Sequence, residues 1–195
     1  MTCETQPTHI CITVLVTIAI DMRITIEKYN LKWKEKFETE KQLLVKNLKL
    51  LDIEIEHIGS TSVKGLGAKP IIDIMIGLKD FNLADQQIEK LEKIGYQYIS
   101  KYDEIMPERR FFIKEINGTR THHLHMVERG KDFWIRHLKF REHLRQNKTD
   151  RKEYYRLKKE LLKKDWTNGD EYANAKSEFI KKIENKTTAT NSKYK

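Results

Sequence analysis

The sequence predicts an α/β or α+β domain: a mixed β-sheet with flanking helices and a C-terminal helical segment. Three observations predict it. Helical and strand periodicities succeed one another in the order α-β-β-α-β-β-β-α-α-α. An almost wholly apolar run, Pro70-Ile-Ile-Asp-Ile-Met-Ile76, reads as a strand buried on both faces. After Arg129 the pattern turns helical to near the end of the chain.

The elements follow in order. Asn30 to about Leu50 reads as an amphipathic helix, with Trp33, Phe37, Leu44, Leu48 and Leu51 on its apolar stripe. Ile53-Glu-Ile-Glu-His-Ile58 alternates strictly, as a half-buried strand does. Residues 59–67 form a glycine- and serine-rich loop, and the apolar strand follows. Ala84, Ile88, Leu91 and Ile94 mark a second helix, with Gly95 as its C-cap. Tyr96–Tyr102, Arg110–Ile116 and Thr121–Val127 are further strands, and Asn117-Gly118 is a hairpin turn between the last two. Asp150 is expected to cap a helix with the stripe Tyr154, Leu157, Leu161 and Trp166. Asn168-Gly169 should stop that helix. Asp170 should cap the next, with the stripe Tyr172, Ala175, Phe179 and Ile183.

Composition narrows the function classes. Of 195 residues, 38% are hydrophobic and 34% charged, enough apolar material for a core. The longest apolar run, Ile10 to Ile20, falls well short of the ~20 residues that span a membrane, so no membrane partner is expected. Both cysteines, Cys3 and Cys11, lie near the start, which leaves no disulfide framework and suits a cytoplasmic protein. Residues 1–21 are expected to be an extension outside the fold, with Met22 as the natural start, or else to add a strand over Ile10–Ile20. The domain is placed at 22–185 and a frayed tail at 186–195. The net charge of +9 comes from residues 129–195, which hold 20 Lys and Arg against 10 Asp and Glu. Acids interleave with these bases and no base-reading motif is present, so nucleic acid is not the expected partner.

The segment from Glu56 to Ile76 carries the chemistry. A strand ends at Gly59-Ser60 and a second strand carries Asp73, an ionised group that is costly among apolar neighbours without a partner. Asp73 shares a face with Ile71 and Met75, opposite Ile72, Ile74 and Ile76. One reading makes Asp73 a loop cap or a partner of Lys69. The other has Gly59, Ser60 and Thr61 holding a phosphate while Asp73 binds a divalent ion. His123 and His125 share a strand face; beside Asp73 they would complete a 2-His-1-carboxylate set, and otherwise they are ordinary hydrogen-bonded residues. His122 should face away. Lys64, Lys69, Arg109 and Arg110 are the basic candidates around a phosphate, or Arg110 pairs with Glu108 or Glu104. Arg141 and Arg145 share a helix face and could meet an anion, or pair with acids such as Glu142. Lys158 and Lys176 read as structural or solvent-exposed.

These residues also carry a resemblance. Glu56-His-Ile-Gly-Ser-Thr-Ser62 with Ala68-Lys-Pro-Ile-Ile-Asp73 is similar to the signature of the GrpB family, within the nucleotidyltransferase-fold superfamily. Tyr29-Asn-Leu-Lys-Trp33, His123-Leu-His125, Phe140-Arg-Glu-His-Leu-Arg145, Tyr155-x-x-Leu-Lys158 and Tyr172-x-x-Ala-Lys176 resemble its other motifs. The resemblance covers roughly Met22 to Glu184. It implies a nucleotidyltransferase-like mixed sheet. It also implies a nucleotide or other phosphorylated ligand held with a divalent metal, Mg²⁺ or Mn²⁺ ahead of Zn²⁺. Asp73 and Ser60 would then be the catalytic residues, Asp73 with His123 and His125 the metal ligands, and Gly59, Ser60, Thr61, Lys69, Arg110, Arg141 and Arg145 the ligand contacts. Met75 stands where the superfamily has a second acid, a departure the family shares. Lys64 stands where the family usually has proline. Relatives fused to dephospho-CoA kinase imply the alternative, a catalytically silent binding or regulatory module that acts through a protein partner.

Overall fold

The computed structural model describes residues 25–188. The expectations for residues 1–21, the start at Met22 and the end of the tail lie outside the described residues.

The periodicities resolve into helices, strands and short 3-10 turns. Helix α1 runs Lys32–Leu48 and presents Trp33, Phe37, Leu44 and Leu48 to the core. Lys49 then takes a left-handed conformation (φ 51°) and ends it. Leu51 therefore lies past the helix and is 94% exposed, contrary to its expected place on the stripe. Strand β1 is Glu54–Ile58, and a 3-10 turn spans Ser60–Ser62. Strand β2 is Ile72–Leu78, buried on both faces as its apolar run predicts. Helix α2 is short, Ile88–Glu92, and Gly95 turns the chain at φ 89°.

Strand β3 covers only Tyr96–Tyr98. The expected continuation to Tyr102 is instead a 3-10 turn, Ser100–Tyr102, because Asp103 accepts the Tyr98 hydroxyl and folds the chain back. Strands β4 (Arg109–Ile116) and β5 (Thr119–Glu128) form the hairpin, with Asn117 and Gly118 both at positive φ as a type I′ turn requires.

The sheet order is β1-β2-β5-β4-β3. Strands β2 and β5 are parallel, and the other pairs are antiparallel. α1 and α2 cover one face, over Ile72, Ile74, Ile76, Phe112, Leu124 and Met126. Helix α3 (Asp132–Gln146) covers the other, over Ile58, Met75 and Val127. Gly77 lets Trp134 of α3 lie flat on β2, since a Cβ there would stand 2.6 Å from the indole ring. Each fully buried large side chain in these layers contributes about 1.5–3 kcal/mol.

The helical segment packs a third core over the 60–68 turn. Its helices are α4 (Lys148–Leu161), α5 (Gly169–Asn174) and α6 (Ser177–Thr188). Val63 and Leu66 meet Leu144, Tyr154, Phe179 and Ile183 there. Two expected caps move. Asn147 caps α4 by accepting the Asp150 N–H, and Asn168 caps α5 by accepting from Asp170 and Glu171. Asp150 instead sits inside α4, buried against His143 and Lys186. Among the described residues no helix is long and apolar enough to cross a membrane.

Candidate functional site

Strand parity sets out the site. In the parallel β2–β5 register Asp73 lies beside His123 and Met75 beside His125. All four face α3, whereas His122 faces α1 and is buried there, as expected. Asp73 Oδ1 is 3.0 Å from His123 Nδ1. That bond, rather than a pairing with Lys69, is the polar partner that the carboxylate needs.

Gly59 sits directly against Asp73. It is at φ 66°, and a Cβ on it would stand 2.8 Å from Asp73 Cγ. The missing side chain is thus filled by the carboxylate itself, where the sequence suggested a phosphate. Thr61 is also occupied: 2% exposed, it donates to Ile71 O at 3.2 Å and accepts from His57 Nε2 at 3.0 Å. Burial holds His57 neutral, with its pKa lowered to about 4.

Ser60 faces a different neighbour. Lys158 of α4, only 3% exposed, donates to Ser60 Oγ at 3.1 Å and to Gly67 O at 2.5 Å. Burial first, then the charge of Lys176, lowers the Lys158 pKa to about 7. Lys176 is lowered to about 8 by burial and then by Lys69. Lys69 is lowered too, again by burial first. The Asp73 carboxylate opposes the shift in all three. Lys69 and Lys176 also share one ring, with their Nζ atoms 4.3 and 4.4 Å from the centroid of Tyr172. Three lysine amines, one on Ser60 Oγ and two on the Tyr172 ring, therefore lie within the influence of the Asp73 charge. Two of them, Lys158 and Lys176, read in the sequence as structural or solvent-exposed. Their signal was a repeated spacing: Tyr154 precedes Lys158, and Tyr172 precedes Lys176, by one helical turn, which places each lysine over its tyrosine ring.

Other predicted residues lie elsewhere. His125 stacks on Phe111 (5.0 Å between centroids) and its Nδ1 accepts from Arg109 at 3.4 Å. Burial and then Arg109 push its pKa well down. It is a neutral ring engaged by a cation. Arg110 points to the opposite face and pairs with Asp85 at 2.5 Å, not with Glu108 or Glu104. Arg141 is buried and bonds Glu56, Glu142 and His57 O. Arg145 bonds Ser62 O and Glu142. Neither arginine reaches Asp73.

Asp73 Oδ1 and His123 Nδ1 bond each other while the buried His123 Nε2 has no hydrogen-bond partner among the described residues, His125 is engaged by Arg109, and Met75 is 0% exposed. Among the described residues no three His, Cys, Asp or Glu side chains converge in metal-holding geometry.

The comparisons with known proteins agree with the sequence motifs. The family model described as GrpB protein matches residues 23–186. The UPF0157 protein YqkA of Bacillus subtilis is 41% identical over 139 residues, covering 71% of this chain and 40% of its own. This chain thus spans less than half of that relative. The glutamate-rich protein GrpB of Alkalihalophilus pseudofirmus is 38% identical, covering 68% of this chain and 77% of its own. The crystal structure of GrpB from Enterococcus faecalis superposes with a TM-score of 0.74 at 38% identity, covering 83% of this chain and 96% of that one.

Proposed function

The chain belongs to the GrpB family, and from that premise we propose that it binds a phosphorylated ligand, a nucleotide in the first instance, beside Ser60 and Asp73. One observation carries the reading: Lys158 is buried on Ser60 Oγ, Lys69 and Lys176 share the Tyr172 ring, and burial lowers the pKa of all three amines against the pull of the Asp73 charge. Crowding three ammonium groups raises the free energy of the empty site. A phosphate relieves that repulsion and accepts their hydrogen bonds. Asp73 offsets part of the repulsion before the ligand arrives. The lysines, not a metal held by the protein, neutralise the ligand.

The reading is of binding without nucleotidyl transfer. Transfer in the superfamily that the motifs resemble relies on paired acids. Here the second position is Met75, packed with Ile58 and α3. A silent module that presents its ligand to a protein partner fits the same observation.

Calorimetry on the full chain with ATP, GTP, CTP and CoA tests the proposal. Lys158→Met and Lys176→Met should each weaken binding about 10- to 100-fold, the loss of one charge-assisted hydrogen bond. Asp73→Asn should leave it intact or tighten it. Binding should take up protons at pH 8, because the ligand restores charge to amines with pKa values of about 7 and about 8. Unchanged affinity in both lysine variants would sink the reading. Loss in Asp73→Asn, rescued by Mg²⁺ in the wild type alone, would favour a metal-bridged site. Release of labelled pyrophosphate from a triphosphate would establish transfer.

A further inference from the structure

A cleft of about 540 Å³ opens along the free edge of β1, and Asp73 is not among its lining residues. α1 forms one wall. The 61–64 turn, with α3 and the start of α4, forms the other. Six cations line it: Lys34 and Lys41 of α1, Lys64 of the turn, and Arg141, Arg145 and Arg151. Glu38 and Glu56 are the acids among its lining residues.

The cations fall into two kinds. The arginines form a fixed frame: Arg141 is held by Glu56, Glu142 and His57 O, Arg145 by Glu142 and Ser62 O, and Arg151 by Leu144 O and Arg145 O. The lysines are not ion-paired, although Lys41 Nζ lies 5.9 Å from the Phe37 ring centroid. Lys34, Lys41 and Lys64 form no ion pair with any described residue, and Lys34 and Lys64 are exposed. Lys34 and Lys41 are seven residues apart, so they stand on one face of α1 about 10 Å from each other. Lys64 faces them from the turn. Neutral His57 adds no charge to the lining. A concave surface with cations on both walls focuses a positive potential. The volume lies within the roughly 300–1,000 Å³ that holds a small ligand.

We infer that this cleft is a second anion site, for a compact chain of two or three phosphates, free or carried on a nucleotide. It is separate from the site at Asp73 and does not depend on that reading. Arg141 and Arg145 serve here as the frame, and Lys64 joins Lys34 and Lys41 as the groups that reach the phosphates.

The test uses the full chain with inorganic tripolyphosphate at low salt, read by calorimetry and by amide shifts in ¹⁵N-labelled protein. The expected result is binding that shifts amides of α1 and the 61–64 turn and weakens as salt rises. Combined substitution of Lys34→Gln, Lys41→Gln and Lys64→Gln should abolish those shifts and weaken that binding event about tenfold or more. Lys176→Met, in the other site, should leave it unchanged. ADP in place of tripolyphosphate should shift the same amides if the phosphates come on a nucleotide. Several outcomes would overturn the proposal. One is that the wild type shows no shifts in these segments. Another is that the triple variant binds as the wild type does. A third is that a short single-stranded oligonucleotide or polyglutamate binds here and tripolyphosphate fails to displace it. Because the two sites have separate variants, failure here leaves the lysine cluster at Ser60 untouched, and the reverse holds.

Discussion

At the scale of single residues, Gly59 and Asp73 form one unit. The sequence singled out both, yet assigned the glycine's space to a ligand; the carboxylate fills it. Gly59→Ala would place a side chain at φ 66° and drive it into Asp73. The expected cost is at least about 1–3 kcal/mol, measured as a fall in the urea midpoint with unchanged slope. Lys158 makes the complementary point. A lysine that is 3% exposed cannot be told from a solvated one by composition. Its burial follows from α4 docking over the 60–68 turn, a contact between residues nearly a hundred positions apart.

At the scale of elements, the loops decide which predicted residues meet. β2 and β5 are parallel neighbours, so Asp73 and His123 stand side by side although 50 residues separate them. The same parity sends Arg110 to the α1 face and Arg109 to the α3 face. Neither assignment is available until β4 is registered against β5. In the helical segment Asp150 ties α3, α4 and α6 together through His143 at 2.6 Å and Lys186 at 3.0 Å. His143 and Lys186 hold its pKa below the ordinary value. Its contribution is therefore present above about pH 4 and is lost as pH falls through the lowered value. Asp150→Ala should destabilise the fold by about 3 kcal/mol at pH 7, read by thermal or urea unfolding. An effect below 0.5 kcal/mol, as for an ordinary surface change, would show that the cluster does not hold the three helices together.

At the scale of the whole molecule, each sheet face carries a neutral, at least half-buried histidine. His57 packs beside α1, and His137 of α3 packs on the other side, donating through Nδ1 to Phe133 O. Burial lowers both pKa values from 6.5 to about 4. Between those values the unfolded chain binds more protons than the folded one. Stability should therefore fall as pH drops from 6.5 to 4, by up to about 3 kcal/mol per histidine. Urea midpoints at pH 7 and pH 5 measure it, and His57→Gln should flatten the slope. A wild-type midpoint that holds steady over that window would show that these rings are protonated in the fold. The basic excess of residues 129–195 also finds its place at this scale. Part of it supplies Lys158 and Lys176 to one site, and part supplies Arg141, Arg145 and Arg151 to the cleft at β1.

Although it merged α5 and α6 into one helix, periodicity alone determined the element order through β5, the two-sided burial of β2, the hairpin at Asn117-Gly118, and the face that Asp73 shares with Met75. These are local properties, set by side-chain alternation and turn conformation within a few residues. The motifs around Gly59 and Asp73 likewise determined the family. Only the tertiary structure decided what surrounds Asp73. It closed the glycine's space with the carboxylate, engaged His125 through Arg109, moved Arg141 and Arg145 to the β1 edge, and brought three lysines in. Each of those outcomes depends on strand register and helix docking between distant segments, which fix distance and burial, and no local pattern encodes either.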